Sequence, residues 1–309
     1  MPLTGPAGSI GEYVKNAIDL AAAQNIQVVY ADDECDTKKA VSAYQELKIK
    51  DVKVFYVACS GSVLALAPLA KENGDLIITA YAGSSEIRNT GDEVIRFIPD
   101  ALSVVAVMKE YFSENPTEKY AIIHENQNYS TSLADGIAEA LGPRLILQEA
   151  YASEATDVRT QLTKIKSSGA DKIIVVPVSD KTAEIVYKQM KALGMTTPIL
   201  GEVNVCEYKP APWDFGFKTT CWKADLGEEK TTDFSKKFKD AYGKDSQSPF
   251  YDAVTYDSIQ ILDRLMKKTE DISELKKEIL AGVQGEYLTY SFESNGEVIG
   301  TQYLRKIER

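Results

Sequence analysis

The chain has 309 residues, 44% hydrophobic and 26% charged, enough for one large domain or two ordinary ones with a sizeable core. A formal net charge of -11 repels nucleic acid and anionic lipid, so neither is expected as a partner. No apolar run approaches the roughly 18 residues that a membrane helix needs, no secretory signal is visible, and a single histidine argues against His-based catalysis or a multi-His metal site.

The opening stretch, MPLTGPAGSIGEYVKNAIDLAAA, is a turn-rich loop. From Glu12 it gives way to apolar residues at helical spacing: Val14, Ile18, Ala21 and Ala22. GPAGSIG has GxxGxxG rather than GxGxxG spacing, with no strand leading in and no well-placed acid, so phosphate binding is not expected. Its glycines instead let the backbone turn and approach a neighbour closely. A loop that runs straight into a helix usually follows a strand, and only Met1 stands ahead of this one.

Further along, a strand is expected at 26–32 (IQVVYAD), a helix at 37–47, a strand at 52–58, a helix at 62–73 and a strand at 75–81. After Pro99 come helix 101–113, strand 119–125, helix 129–141, strand 144–150, helix 157–168, strand 171–178, helix 180–193 and strand 198–203. These strands are short continuous apolar runs, the pattern of parallel strands buried on both faces. Repeated strand–helix units imply a doubly wound α/β architecture. Three strands before Pro99 and four between 119 and 203 suggest two similar lobes rather than one wide sheet. The pattern breaks over 204–232, where two Cys, two Pro and both Trp fall. Helices resume at 231–242, 251–268 and 272–281, before a final β region whose ESNGEV carries an Asn-Gly hairpin turn.

Small hydroxyl residues gather at strand ends. Cys59-Ser60-Gly61-Ser62 joins a strand to a helix, and Gly83-Ser84-Ser85 repeats the device one strand later. Such residues cap helices, and the same geometry offers hydroxyls and free N–H groups to a carboxylate. His124 and Glu125 close a strand in the second half, and Tyr129 begins the next helix, where it packs or contacts a ligand. His124 reads as structural. Glu202 ends a further strand, either solvated or facing a cation in a cleft. In open parallel sheets, ligands bind at the carboxyl ends of strands. No catalytic triad or Cys–His set assembles. The four cysteines, at 35, 59, 206 and 221, permit three pairings or four buried thiols. They form no CxxC and have no nearby His, so zinc is not expected.

The segments PLTGPAGSIGEYVKNAIDLA, DDECDTKKAVSA, VACSGSVLALAPLAKENG, GDEVIRFIPD, YAIIHENQNYSTSLADGI, DVRTQLTKIKSSGADKIIV, MKALGMTTPILGE and SPFYDAVTYDSIQIL resemble the leucine/isoleucine/valine-binding proteins, type I periplasmic solute-binding components of ABC importers. The resemblance runs in order over nearly the whole chain. It implies a periplasmic binding protein type I fold: lobe one from 1–99 plus 226–300, lobe two from 100–225 plus 301–309, and hinges near 97–101, 221–226 and 299–304. It also implies that lobe one lacks its first strand here, so an apolar strand and an earlier signal peptide are expected in the coding sequence upstream of Met1.

The resemblance further implies a Cys35–Cys59 disulfide, leaving Cys206 to pair with Cys221, in an oxidising exported setting. Its ligand set falls on Ser60, Ala82, Gly83, Ser84, Tyr129, Glu202, and Phe250 or Tyr251. A family threonine is replaced near Gly83, a family aromatic falls on Val178 or Ser179, and Tyr81 stands where a smaller residue is usual. The implied protein is a non-enzymatic, monomeric binder of a small amino acid, branched-chain type foremost, without cofactor or metal. It delivers its ligand to a membrane permease and is periplasmic or extracellular, with or without a lipid anchor. An amide, urea or aromatic acid is the alternative ligand, and a sensory ligand-binding domain the alternative role.

Overall fold

The computed structural model describes residues 1–22, 26–299 and 304–309. It divides into two compact units, 1–99 with 225–303 and 100–224 with 304–309. The chain thus passes between them three times, and the third passage lies largely outside the described residues.

The first unit begins with α1 (Gly8–Ala21), which buries Val14, Ala17, Ile18 and Ala21 on one face. Gly11 is required here, because a Cβ at that position would stand 1.7 Å from the Pro2 carbonyl oxygen. The glycine-rich opening therefore serves close backbone approach. Helix α2 (Thr37–Ile49) starts at Asp36, whose carboxylate accepts from the N–H groups of Lys38 and Lys39, both at 2.9 Å. Then follow β1 (Val54–Tyr56), α3 (Ser60–Asn73), β2 (Leu76–Thr79) and β3 (Val94–Arg96). They form a parallel sheet in the order β1-β2-β3, with Phe55 opposite Ile77 and Ile77 opposite Val94.

The expected strand at 26–32 is not one. A strand exists only when paired, and among the described residues none pairs with Ile26–Tyr30. One step of a parallel ladder appears just beyond. The Met1 nitrogen donates to the Ala31 carbonyl at 3.2 Å, and the Met1 carbonyl accepts from Asp33 at 3.1 Å. Between 26–31 and β1 lies a cavity of about 700 Å³, lined by Ile18, Val28, Tyr30, Phe55, Val57 and Leu262 among others. The place of the lost strand in the count of three is taken by β3, too short and too polar at its flanks to read as an apolar run.

The second unit runs α4 (Ala101–Glu114), β4 (Tyr120–Glu125), α5 (Asn128–Leu141), β5 (Leu145–Tyr151), α6 (Arg159–Ser168), β6 (Lys172–Val176), α7 (Asp180–Ala192), β7 (Ile199–Gly201), α8 (Val203–Glu207) and β8 (Thr219–Ala224). The last two regularise part of the segment expected to be irregular. The chain then returns to the first unit through α9 (Glu228–Tyr242), α10 (Pro249–Met266), α11 (Ile272–Leu280), β9 (Val283–Gln284), β10 (Thr289–Phe292) and β11 (Val298–Ile299), and ends in the second with β12 (Leu304–Glu308). The six strands of the second unit order as β12-β8-β7-β6-β4-β5. All pairs are parallel except β12 with β8, where Ile307 faces Cys221. Because β4 has β5 on one side and β6 on the other, the winding reverses at β4. That reversal leaves a crevice at the carboxyl ends of β4 and β6.

Helix α10 is buried nearly all round, from Phe250 to Leu265. The β10–β11 turn is a three-residue loop rather than the two-residue Asn-Gly form. Only Gly296 has a positive φ, +86°, and Glu293 donates to the Glu297 carbonyl at 2.7 Å. Two disulfides are present: Cys35, in the loop before α2, bonds Cys59 at the N-cap of α3, and Cys206 on α8 bonds Cys221 on β8. The one group of potential metal ligands among the described residues, Asp33, Cys35 and Cys59, has both sulfurs in that first bridge.

Candidate functional site

In the first unit, Ser60, Ala82, Gly83 and Ser84 come together at the carboxyl ends of β1 and β2. Ser60 is the first residue of α3, is 6% exposed, and its Oγ accepts from the Ser84 N–H at 3.1 Å. That bond commits the Ser84 N–H, one of the groups expected to face a carboxylate. It leaves the Ser60 hydroxyl hydrogen and the Gly83 N–H as donors. The Ser84 hydroxyl is used as a cap, accepting from Glu86 N–H at 3.3 Å.

Phe250 and Tyr251 sit in the first turn of α10, with ring centroids 5.3 Å apart and edge-on. Tyr81 lies 5.3 Å from Tyr251, so the two tyrosines form an aromatic wall in this unit. The bulk of Tyr81 is held back by its hydroxyl, which donates to Asp252 Oδ1 at 2.6 Å. Ser246 Oγ donates to Asp252 Oδ2 at 2.6 Å. Asp252 is fully buried, and burial pushes its carboxyl up to about 6.

In the second unit, Tyr129 and Glu202 meet. Tyr129, in the first turn of α5, donates to Glu202 Oε2 at 2.9 Å. Glu202 follows β7 and caps α8, accepting from Asn204 N–H at 3.0 Å. Its side chain is fully buried and its Oε1 has no hydrogen-bond partner among the described residues. Burial pushes this carboxyl up to about 7, against the opposing pull of the Asn204 and Tyr129 hydrogen bonds. A buried acceptor with an open oxygen is set up to receive a cation or a neutral donor.

Glu125 ends β4 in the same crevice and accepts from Val178 N–H at 2.9 Å. Burial raises its carboxyl too. Tyr151 and Tyr187 lie behind, with phenols raised first by burial and then by neighbouring carboxylates, Glu125 and Glu202 for Tyr151 and Glu202 for Tyr187. Sequence reasoning missed Asp252, Tyr151 and Tyr187, because nothing in a chain marks which polar residues will be enclosed. Val178 and Ser179 serve structure: the Val178 carbonyl accepts from Tyr208, and Ser179 with Thr182 forms a capping box at α7. His124 is buried between the Glu125 carbonyl and Gln148, and burial lowers its pKa, as suits a structural residue.

These paired α/β units, with hydroxyls, rings and carboxylates at the strand ends, match a known class. The family model for periplasmic binding proteins covers residues 1–281, and the chain belongs to that family. A Leu/Ile/Val-binding protein homolog 3 of Brucella melitensis is 28% identical over 218 residues, 65% of this chain and 58% of that protein. The match thus spans less than two thirds of the curated relative's length. Among solved structures, a solute-binding protein of an ABC transporter from R. palustris, in complex with benzoate, has a TM-score of 0.84 at 17% identity, over 99% of this chain and 93% of that one. The substrate-binding protein of a branched-chain amino acid transporter from Streptococcus pneumoniae, in complex with isoleucine, gives 0.82 at 18% identity, over 99% and 97%. The fold is therefore the type I periplasmic binding fold, and the similar proteins are named for binding solutes. No helix among the described residues is long and apolar enough to cross a membrane.

Proposed function

We propose that this protein captures a small α-amino acid, branched-chain type foremost, for ABC-type import, with each unit supplying one end of the recognition. The ligand carboxylate takes hydrogen bonds from Ser60 and the Gly83 N–H. The ammonium meets Glu202, and Tyr129 holds that carboxylate in place. The observation that carries the reading is the open Oε1 of a fully buried Glu202 already fixed by Tyr129 and Asn204. An ammonium is the small-molecule group that best compensates such a carboxylate. Requiring both charges on one molecule would reject simple acids and simple amines. Closure of the units on the ligand about the chain passages, an extracytoplasmic location, a monomeric state and delivery to a permease belong to the same proposal.

A second reading has its own support. The Tyr81–Tyr251 wall suits a flat ring, and a Glu202 carboxyl raised to about 7 holds a proton readily enough to serve a ligand without an amine. That combination favours an aromatic acid. A thermal-shift screen with amino acids, amides, urea and benzoates separates the two, since a tight ligand raises the melting temperature by mass action. A shift confined to amino acids supports the first reading, and one confined to benzoates replaces it with the second.

A further inference from the structure

Arg96, on β3, is fully buried, and its guanidinium reaches in two directions. Nε donates to Glu297 Oε2 at 3.1 Å, and Nη2 pairs with the same carboxylate. Nη1 donates to the carbonyls of Ala82 at 3.2 Å and Ser84 at 2.7 Å. Those are the carbonyls of the strand-end loop that faces a ligand in the proposed site. Because a trans peptide points its N–H opposite to its C=O, holding the Ala82 carbonyl toward Arg96 aims the Gly83 N–H away from it.

The anchor behind Arg96 is built in. The Arg96 N–H donates to the Gly296 carbonyl at 2.9 Å, which seats the β10–β11 turn against β3. Gly296 has no room for a side chain, since a Cβ there would fall 2.0 Å from the Val94 carbonyl oxygen. Asn295 ties the turn further, accepting from Glu297 N–H at 3.3 Å and donating to the Arg88 carbonyl at 3.2 Å.

We infer that Arg96, backed by Glu297, is a positioning residue of the binding site: its fork fixes the Ala82–Ser84 loop so that the Gly83 N–H and Ser60 hydroxyl are presented together. The ligand role rests on the proposed function; the restraint on the loop does not. Lysine keeps the charge beside Glu297 but is a point donor that cannot span two carbonyls and a carboxylate.

The test uses the full chain, as parent, Arg96→Lys and Glu297→Gln. Amide exchange is read without ligand at the hydrogen-bonded loop amides of Ser84, Glu86 and Ile87 and at Ile77 and Ile78 in β2. In Arg96→Lys the loop amides should exchange at least about tenfold faster while those of β2 stay at the parental rate, with Glu297→Gln intermediate. Unchanged loop exchange, or equal acceleration in β2, overturns the restraint and leaves Arg96 a packing residue. Affinities for L-leucine, L-isoleucine, L-valine and benzoate are then measured by calorimetry, and Arg96→Lys should bind whichever the parent binds at least about tenfold more weakly. Faster loop exchange with unchanged affinity overturns the ligand role. A parent that binds none of the four rejects the branched-chain and the benzoate readings and the ligand role that rests on them, while exchange still decides the restraint.

Discussion

Tyr129 and Glu202 stand 73 positions apart in the chain, yet the Tyr129 hydroxyl, in the first turn of α5, donates at 2.9 Å to Oε2 of Glu202, the residue that caps α8. The pair leaves the other carboxylate oxygen open in a buried place. In the proposed site that open oxygen is the one an ammonium meets, and its charge depends on the burial around it.

Binding should therefore depend on pH. The Glu202 carboxyl is raised to about 7 by burial, so below that pH it carries a proton that an incoming ammonium must expel. Affinity for an amino acid should level off above about pH 7 and fall by up to roughly tenfold per unit below it. Titrations from pH 5 to 8.5 read this directly. An anionic ligand without an amine would give the opposite slope.

Tyr129→Phe removes a hydrogen bond that favours the ionised carboxyl. The midpoint of that pH dependence should move upward by about one unit, on the order of one charge-assisted hydrogen bond. If the midpoint stays in place, Tyr129 merely covers the site.

Asp252 gives a stability signal in the first unit. Its folded value of about 6 lies above the ordinary 3.8, so ionisation is disfavoured by folding, and the cost is complete above about pH 6 and absent below the ordinary value. Asparagine has no such cost and can still accept from Tyr81. Asp252→Asn should stabilise the protein by about 1–3 kcal/mol at pH 8 and by little near pH 4. Chemical denaturation at the two pH values checks this, and an equal loss of stability at both would contradict it.

Much of the second unit was legible, because β4, β6 and β7 centre on short runs of Ile, Leu, Val and Ala that have little choice but a buried parallel sheet. The 26–32 run has the same composition and forms no strand, since pairing depends on a neighbour that composition does not reveal. Conversely, Thr219–Ala224 sits among Pro, Trp and Gly and reads as loop, yet pairs on both sides. At the site, residue types at strand ends were readable. That the Ser84 N–H would be consumed by Ser60, or Tyr81 drawn to Asp252, depends on angles between elements.

Calorimetry on the parent and Glu202→Gln, with L-leucine, L-isoleucine, L-valine and benzoate at pH 8, bears most directly on the proposed site. The parent should bind at least one of the amino acids and ignore benzoate. Glu202→Gln should bind that amino acid at least about 30-fold more weakly, the equivalent of losing roughly 2 kcal/mol from one partner of a buried charge pair. A parent that prefers benzoate, or a variant that binds the amino acid as tightly as the parent, would contradict the account.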